Sequence, residues 1–268
     1  MTEKKNNKAR CALLSALEYL AVAVFWLGLW FIAARTMNKE LLLPSPLSVL
    51  KRMGELAATS EFWTITAASL LRIIYGILIG ITSGMILGLV TSKIPFLYKL
   101  FRPIITVIRA TPVASFIILA ILWIGRDTLP TFIAALMVLP IVWGNMHEGA
   151  LCVDRQLLEV AKVYEFSPFK RARRLYLPQI SPYFFAAVKT SIGLAWKAGI
   201  AAEILTLPPF SIGKMLSDAK VYLETVDMFA WTLTVIILSL ILEFVFTWGI
   251  PKFYAFIKRK SSEKAVNL

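Results

Sequence analysis

Long apolar stretches, separated by short polar ones, dominate the chain. Residues 73–92 are 20 consecutive positions without a charged side chain, and residues 128–146 are 19. Because a helix needs about 20 mostly apolar residues to cross a bilayer, stretches of this length predict membrane spans. The whole pattern predicts an all-α polytopic membrane protein with six transmembrane helices, at about residues 12–34, 64–91, 103–125, 128–147, 180–205 and 228–250.

A shorter helical pattern lies between the first two predicted spans. Ser45 and Pro46 are a plausible N-cap and first-turn pair. Leu50, Met53 and Ala57 then recur at helical spacing. This segment predicts a short amphipathic helix at the membrane surface.

The longest polar interruption falls between the fourth and fifth predicted spans and is rich in charges. In residues 157–182, "LLEVAKVYEFSPFKRARRLYLPQISP", two short helices are predicted. The second begins at the N-cap pair Ser167 and Pro168. The first carries its apolar residues at i, i+3, i+4 and i+7, which are Leu157, Val160, Ala161 and Tyr164. From its pattern alone, this stretch is either a solvated loop or a docking element for a soluble partner.

Charge sets the predicted orientation. The chain carries 29 Lys and Arg against 16 Asp and Glu, but the basic residues flank apolar segments, so a membrane rather than a nucleic acid is the expected partner. With both termini cytoplasmic, 18 basic residues lie inside and 7 outside, as the positive-inside rule requires. The predicted division is a cytoplasmic N-tail at 1–11, one transmembrane domain at 12–250 with a cytoplasmic loop at about 148–179, and a cytoplasmic C-tail at 251–268.

The residues that carry chemistry argue against an enzyme. Cys11 and Cys152 are too few and too far apart for a disulfide framework. One histidine, His147, without a Cys/His cluster predicts no metal site. No convergent nucleophile or acid–base set is visible, so neither catalytic residues nor a cofactor are expected in this chain. The first basic and apolar segment is interpreted as a retained span, because its apolar part, residues 11–34, is long for a signal peptide and has no clear A-x-A cleavage site.

Polar residues within the predicted spans are candidates for a translocation path or gate. A charge at the centre of a membrane helix costs about 2.5–3.5 kcal/mol on insertion scales. Arg109 either attracts an anionic substrate or pairs with a carboxylate, and Pro112 interrupts the third span. Trp196 and Lys197 are expected to be buried or to line a path. Glu203 either lines the path or forms a structural salt bridge.

Glycine recurs every fourth residue in the second predicted span, at Gly76, Gly80, Gly84 and Gly88. Small residues at this spacing let a second helix approach closely. The stripe predicts a packing seam, within the chain in preference to self-association.

The charged loop resembles a known element. Glu159-Val160-Ala161, followed by Leu177-Pro178, is similar to the EAA loop of ABC-importer permeases of the binding-protein-dependent class. The family pattern has glycine where this chain has Glu165. A left-handed turn is expected at that position, and it is disfavoured for a glutamate. Either the corner is built differently here or Glu165 accepts the strain.

Three further stretches, "LLLPSPLSVL", "IRATPVASFIILAILWIG" and "LAWKAGIAAEIL", resemble the nitrate/sulfonate/taurine branch of these permeases. The resemblance implies a type I ABC-importer permease core with a cytoplasmic coupling helix between spans 4 and 5. By the same resemblance, the residues that contact the ATPase are Glu159, Ala161, Tyr164, Glu165, Phe166, Ser167 and Pro168.

The resemblance also implies partners and a location. These are an ABC ATPase dimer that binds ATP and Mg, a second permease copy and a periplasmic or lipid-anchored solute-binding protein, in the inner (plasma) membrane of a prokaryote. The chain has no G-x-x-x-x-G-K-[ST] motif, so ATP hydrolysis is expected on a separate chain. The expected solute is small: a sulfonate, taurine, nitrate or a vitamin precursor. The alternative is a stand-alone secondary transporter or another polytopic membrane protein, although no inverted repeat is visible.

Overall fold

The computed structural model describes the backbone of residues 2–37 and 39–266, and the side chains of residues 17–18, 20–37, 39–247 and 249. The described backbone is helical, without strands. Its helices are α1 (Thr2–Met37), α2 (Pro46–Ala57), α3 (Ser60–Lys93), α4 (Pro95–Ala110), α5 (Val113–Ala120), α6 (Leu129–Leu151), α7 (Arg155–Val163), α8 (Pro168–Arg171), α9 (Leu177–Thr206), α10 (Ile212–Val221) and α11 (Thr225–Val266).

Among the described residues, four helices are long and apolar enough to cross a membrane, within α1, α3, α6 and α11. They correspond to the first, second, fourth and sixth predicted spans. The 30-residue α9 covers the fifth predicted span but is not in this group. The count of six spans therefore stays a prediction.

The third predicted span, residues 103–125, is broken at Thr111 and Pro112, where the sequence predicted an interruption. α4 and α5 meet at an angle of 105°. Thr111 is extended, with ψ 129°, as the residue before a proline prefers, and Pro112 then caps α5. The segment between the second and third predicted spans is also largely helical, because α4 begins at Pro95. Pro112 thus ends one helix and starts another.

The glycine stripe forms the predicted packing seam within the chain, between α3 and α6. A Cβ added at Gly80 would lie 2.6 Å from the Cβ of Val138, and one at Gly88 would lie 2.6 Å from the Cβ of Met146. Real Cβ atoms do not approach so closely. The two helices therefore sit at a distance that only glycine permits at these positions.

A buried apolar cluster joins α5, α6 and α9. Its buried members are Ile117, Ala120, Leu129, Ile133, Ala198 and Ala202. On its α3 side, α9 is equally close, since a Cβ at Gly199 would lie 2.7 Å from the Ile73 side chain. The short α5 thus folds back into the packed interior after the 105° bend, and α9 is central to that interior.

The contacts divide the chain into two compact units, residues 63–214 with 235–268, and residues 1–62 with 215–234. In the second of these, Ser45 caps α2 by accepting a hydrogen bond from the Ser48 N–H at 3.1 Å, as predicted. Arg52 donates two hydrogen bonds to Asp227, at 2.6 and 2.9 Å. These bonds raise the pKa of the Arg52 guanidinium above its usual range, so α2 is held to the start of α11 by a permanent charge pair.

Candidate functional site

The charged loop folds into a hairpin of α7 and α8, which starts from a fixed point. The Asp154 carboxylate accepts a hydrogen bond from the Gln156 N–H at 2.8 Å and so caps α7. The Asp154 N–H donates to the Gln179 side-chain oxygen at 2.9 Å. Gln179 belongs to the first turn of α9, so the beginning of the hairpin is tied to the helix that follows it.

Glu165 forms the corner of the hairpin in a left-handed conformation, with φ 48°. The Glu165 N–H donates to the Lys162 carbonyl at 3.0 Å, and the Phe166 N–H donates to the Ala161 carbonyl at 2.9 Å. This pair of bonds is the Schellman motif, which normally places glycine at the left-handed position. The corner is therefore built as the family pattern would build it, and the glutamate accepts the backbone strain.

The second helix begins where it was predicted, with the Ser167 side chain accepting a hydrogen bond from the Lys170 N–H at 3.3 Å. The prediction of a separate short helix is wrong at its other end. α8 continues through a π-helical turn, Ala172–Tyr176, directly into α9. Pro178 has no N–H for the carbonyl one α-turn before it, and the wider turn falls just ahead of this proline.

The apolar side of the hairpin is uncovered. Ala161 is 1% exposed and anchors α7, and Phe166 lies half-buried under the Lys170 ammonium, 4.2 Å from its ring centroid. Glu159 is exposed beside them. We call the exposed apolar side chains the hairpin face, which consists of Leu157, Val160, Val163, Tyr164 and Phe169, at 42, 49, 80, 72 and 75% exposure. So much exposed apolar surface on a charged hairpin is typical of a protein–protein contact.

Glu203 is fully buried at the centre of a polar network. One carboxylate oxygen accepts from the Arg72 guanidinium at 2.6 Å. The other accepts from the Ser69 hydroxyl at 2.8 Å and from the Gly213 N–H at 3.2 Å. The Ser69 oxygen in turn accepts from the Ile212 N–H at 2.9 Å. Of the two roles considered for Glu203, this geometry supplies the salt bridge, which joins α3, α9 and the start of α10.

Trp196 and Lys197 face different surroundings. Trp196 is 1% exposed, and its indole N–H donates to the Val235 carbonyl at 3.2 Å. It therefore fastens α9 to α11 inside the protein. Lys197 is exposed, as is Lys189 two turns earlier. Of Trp196 and Lys197, only Lys197 has an exposed side chain.

Arg109, in the last turn of α4, lies against α6. Its guanidinium donates a short hydrogen bond to the Pro140 carbonyl. A Cβ at Gly144 would lie 2.9 Å from the same guanidinium nitrogen, so this glycine makes room for the arginine. Among the side chains that the structure describes, no carboxylate pairs with Arg109. Within the described residues, Arg109 therefore pairs with a backbone carbonyl and not with a carboxylate.

A cavity of about 390 Å³ opens between α4 and α6 beside this arginine. Arg102 and Arg109 line its α4 wall, with the Thr106 hydroxyl between them, and Asn145 and Glu148 line its α6 wall. The two guanidinium groups outnumber the one carboxylate, so the lining is net positive. A cavity of this volume and charge is suited to a small anion.

Two arrangements escaped the sequence reasoning. Arg72 and Glu203 are 131 residues apart, and nothing local in one sequence pairs them. The ring of Tyr98 stacks on His147 at 4.2 Å, and the Nδ1 of His147 lies 3.2 Å from the Thr91 hydroxyl. The only available signal was that each polar residue inside an apolar segment needs a partner.

These features define a polytopic helical membrane protein with an uncovered hairpin between two of its long helices. Residues 76–253 match the family described as the binding-protein-dependent transport system inner membrane component, and the chain belongs to this family. It is therefore a transport permease and an inner-membrane component, as its resemblance to ABC-importer permeases predicted.

Named relatives agree. The chain is 29% identical over 191 residues to the putative aliphatic sulfonates transport permease protein SsuC of Bacillus subtilis, which covers 70% of this chain and 68% of the relative. It is 31% identical over 185 residues to the protein of the same name from Escherichia coli, covering 69% and 70%. It is 32% identical over 148 residues to the nitrate import permease protein NrtB of Leptolyngbya laminosa, covering 54% and 52%.

Proposed function

We propose that the chain is the membrane-spanning subunit of an ATP-driven importer. Two copies form an alternating-access path, a solute-binding protein delivers the solute from outside, and a separate ATPase dimer docks on the hairpin face. The observation that carries this proposal is the hairpin face itself. Val163, Tyr164 and Phe169 are each at least 72% exposed, on a corner that the Schellman bonds hold in one conformation.

The physics of such a face favours docking of a rigid partner. Exposed aromatic side chains that fill a pocket on a partner are typical binding hot spots, each worth about 2 kcal/mol or more. Glu159 and Lys170 place opposite charges beside the apolar residues, which suits a polar rim around an apolar centre. The tie from Asp154 to Gln179 fixes the hairpin to α9, so a movement of the partner is passed to that helix.

Tyr164→Asp tests the docking surface, and Tyr222→Asp is its matched control, because Tyr222 is 73% exposed but lies outside the hairpin. Each tagged variant is purified from membranes together with the ATPase that accompanies the wild-type chain, and the ratio of the two chains is measured. The loss of one hot spot predicts about 30-fold weaker association with the ATPase for Tyr164→Asp. The association of Tyr222→Asp is expected to equal that of the wild type. Equal recovery of the ATPase with both variants would refute docking at the hairpin. ATP-independent uptake by the chain alone would favour the secondary transporter.

We further propose that the imported solute is a small anion, such as a sulfonate, taurine or nitrate. Relatives named for aliphatic sulfonates and nitrate support this class, and so does the net-positive cavity between α4 and α6. The assay measures solute uptake by proteoliposomes that hold the chain, the ATPase and the binding protein. ATP is expected to accelerate the uptake of an alkanesulfonate but not that of the alcohol of equal length. Arg102→Gln is expected to slow the sulfonate uptake and Lys99→Gln, an exposed cation outside the cavity, to leave it unchanged. Equal rates for the sulfonate and the alcohol would refute the anion class.

A further inference from the structure

A second cavity lies where the hairpin meets α3 and α6, and it has no role in the function proposed above. It measures about 580 Å³ and lies between the last turns of α3 and α6 and the first turns of α8 and α9. We call it the basal groove. Leu89, Met146 and Ile180 form its apolar wall, and Lys93, Arg171 and Tyr176 add polar groups at its margin.

Arg171 is the unusual residue of this groove. Its Nε is buried and has no hydrogen-bond partner. Neither Arg171 nor Lys93 belongs to an ion pair within the described part of the chain. A buried donor without a partner is rare in folded proteins, so this guanidinium is available to an acceptor from outside the chain.

The apolar wall and the charged margin of the groove are complementary to different parts of one ligand. The apolar wall takes a hydrocarbon chain, whereas the two cations take an anion with several acceptor oxygens. Lys93 is the last residue of α3, a helix long and apolar enough to cross a membrane, and Arg171 lines the same groove. The end of such a helix is the level at which lipid headgroups meet a membrane protein.

We propose that the basal groove binds an anionic phospholipid, with its phosphate between Lys93 and Arg171 and one acyl chain along Leu89, Met146 and Ile180. Basic pockets between membrane helices are suited to such headgroups. A free inorganic anion uses only the cations and leaves the apolar wall unfilled. The bound lipid contacts both α8 and α9, so it supports the hairpin where it joins the long helix.

Lipid retention by the purified full-length chain tests this site. The probes are phosphatidylglycerol and phosphatidylcholine with identical acyl chains, titrated onto delipidated protein and counted by native mass spectrometry. The test variant is Lys93→Gln/Arg171→Gln. Its matched control is Lys99→Gln/Arg174→Gln, which removes the same charge from exposed positions outside the groove.

The expected result is one phosphatidylglycerol bound more tightly than phosphatidylcholine. Each removed cation weakens it by about fivefold and both by about 25-fold, while the control retains wild-type affinity. Ala172→Trp, which fills the groove from an exposed position, is expected to reduce binding of the lipid without removing a charge. Equal affinity for the two lipids, or equal losses in the test and control variants, would overturn the proposal. So would displacement of phosphatidylglycerol by inorganic phosphate, which would show a site for a free anion.

Discussion

Removing Glu203 alone is expected to destabilise the protein more than removing its whole ion pair. Glu203 is fully buried, and the Arg72 side chain is 15% exposed. The Glu203→Met variant leaves the guanidinium buried without its counter-charge, and breaking a buried pair in this way costs about 3–5 kcal/mol. Arg72→Met strands the carboxylate instead, so a similar loss is expected.

The double variant Arg72→Met/Glu203→Met removes both charges. Replacing a buried ion pair by apolar side chains of similar volume is often neutral. What remains are the Ser69 hydroxyl and the Gly213 N–H, which lose the same acceptor oxygen, at about 1–3 kcal/mol each. If the two residues acted independently, the losses would sum to about 6–10 kcal/mol. The double variant is therefore expected to lose less than this sum and to be more stable than Glu203→Met, which orphans the same two donors and also leaves the guanidinium unpaired.

Thermal unfolding of the purified full-length chain measures these differences. At about 2–4 °C per kcal/mol for a protein near this size, each single variant is expected to lower the midpoint by about 6–20 °C. Glu224→Met, which removes an exposed carboxylate, serves as the control. The reasoning is refuted if the double variant loses the sum of the single losses, or if Glu203→Met unfolds together with the control.

Two further outcomes are expected. Glu165→Gly relieves a left-handed backbone strain of about 1–2 kcal/mol and is expected to slow amide hydrogen exchange in α7 and α8. Glu165→Val is expected to accelerate this exchange. Faster exchange in the glycine variant would contradict the Schellman corner. Gly80→Leu overpacks the α3–α6 seam, where a Cβ at Gly80 would lie 2.6 Å from the Val138 Cβ. It is expected to lower the unfolding midpoint by at least several °C. Gly28→Leu is the control, because a Cβ at Gly28 would meet no atom within 4 Å. Equal unfolding midpoints for the two variants would contradict a close α3–α6 seam.

Local patterns in the sequence were sufficient for the elements that depend on neighbouring residues. The α2 cap at Ser45, the start of α8 at Ser167 and the glycine stripe of α3 each follow from residues within one or two turns. Only the resemblance to a family indicated that Glu165 occupies a left-handed corner, because its own side chain disfavours that conformation.

Distant contacts and helix continuity were beyond the same reasoning. Glu203 was left between a path role and a salt bridge, because Arg72 lies 131 positions away in the chain and one sequence carries no pairing signal. The 105° bend at Thr111 and Pro112 was predicted as an interruption but not as a change of direction, since the packing of α5 against α6 and α9 sets the angle. The passage of α8 into α9 depends on a wide turn that periodicity does not reveal.

That passage gives the hairpin a long lever. From Pro168 to Thr206 the chain is helical without a break, which at 1.5 Å per residue amounts to about 58 Å. A tilt of about 5° at the hairpin end therefore displaces the opposite end by about 5 Å. Glu203 sits in the last turn of this helix and is bound to α3 and α10, so a rotation of the helix about its hairpin end would also pull on those two helices.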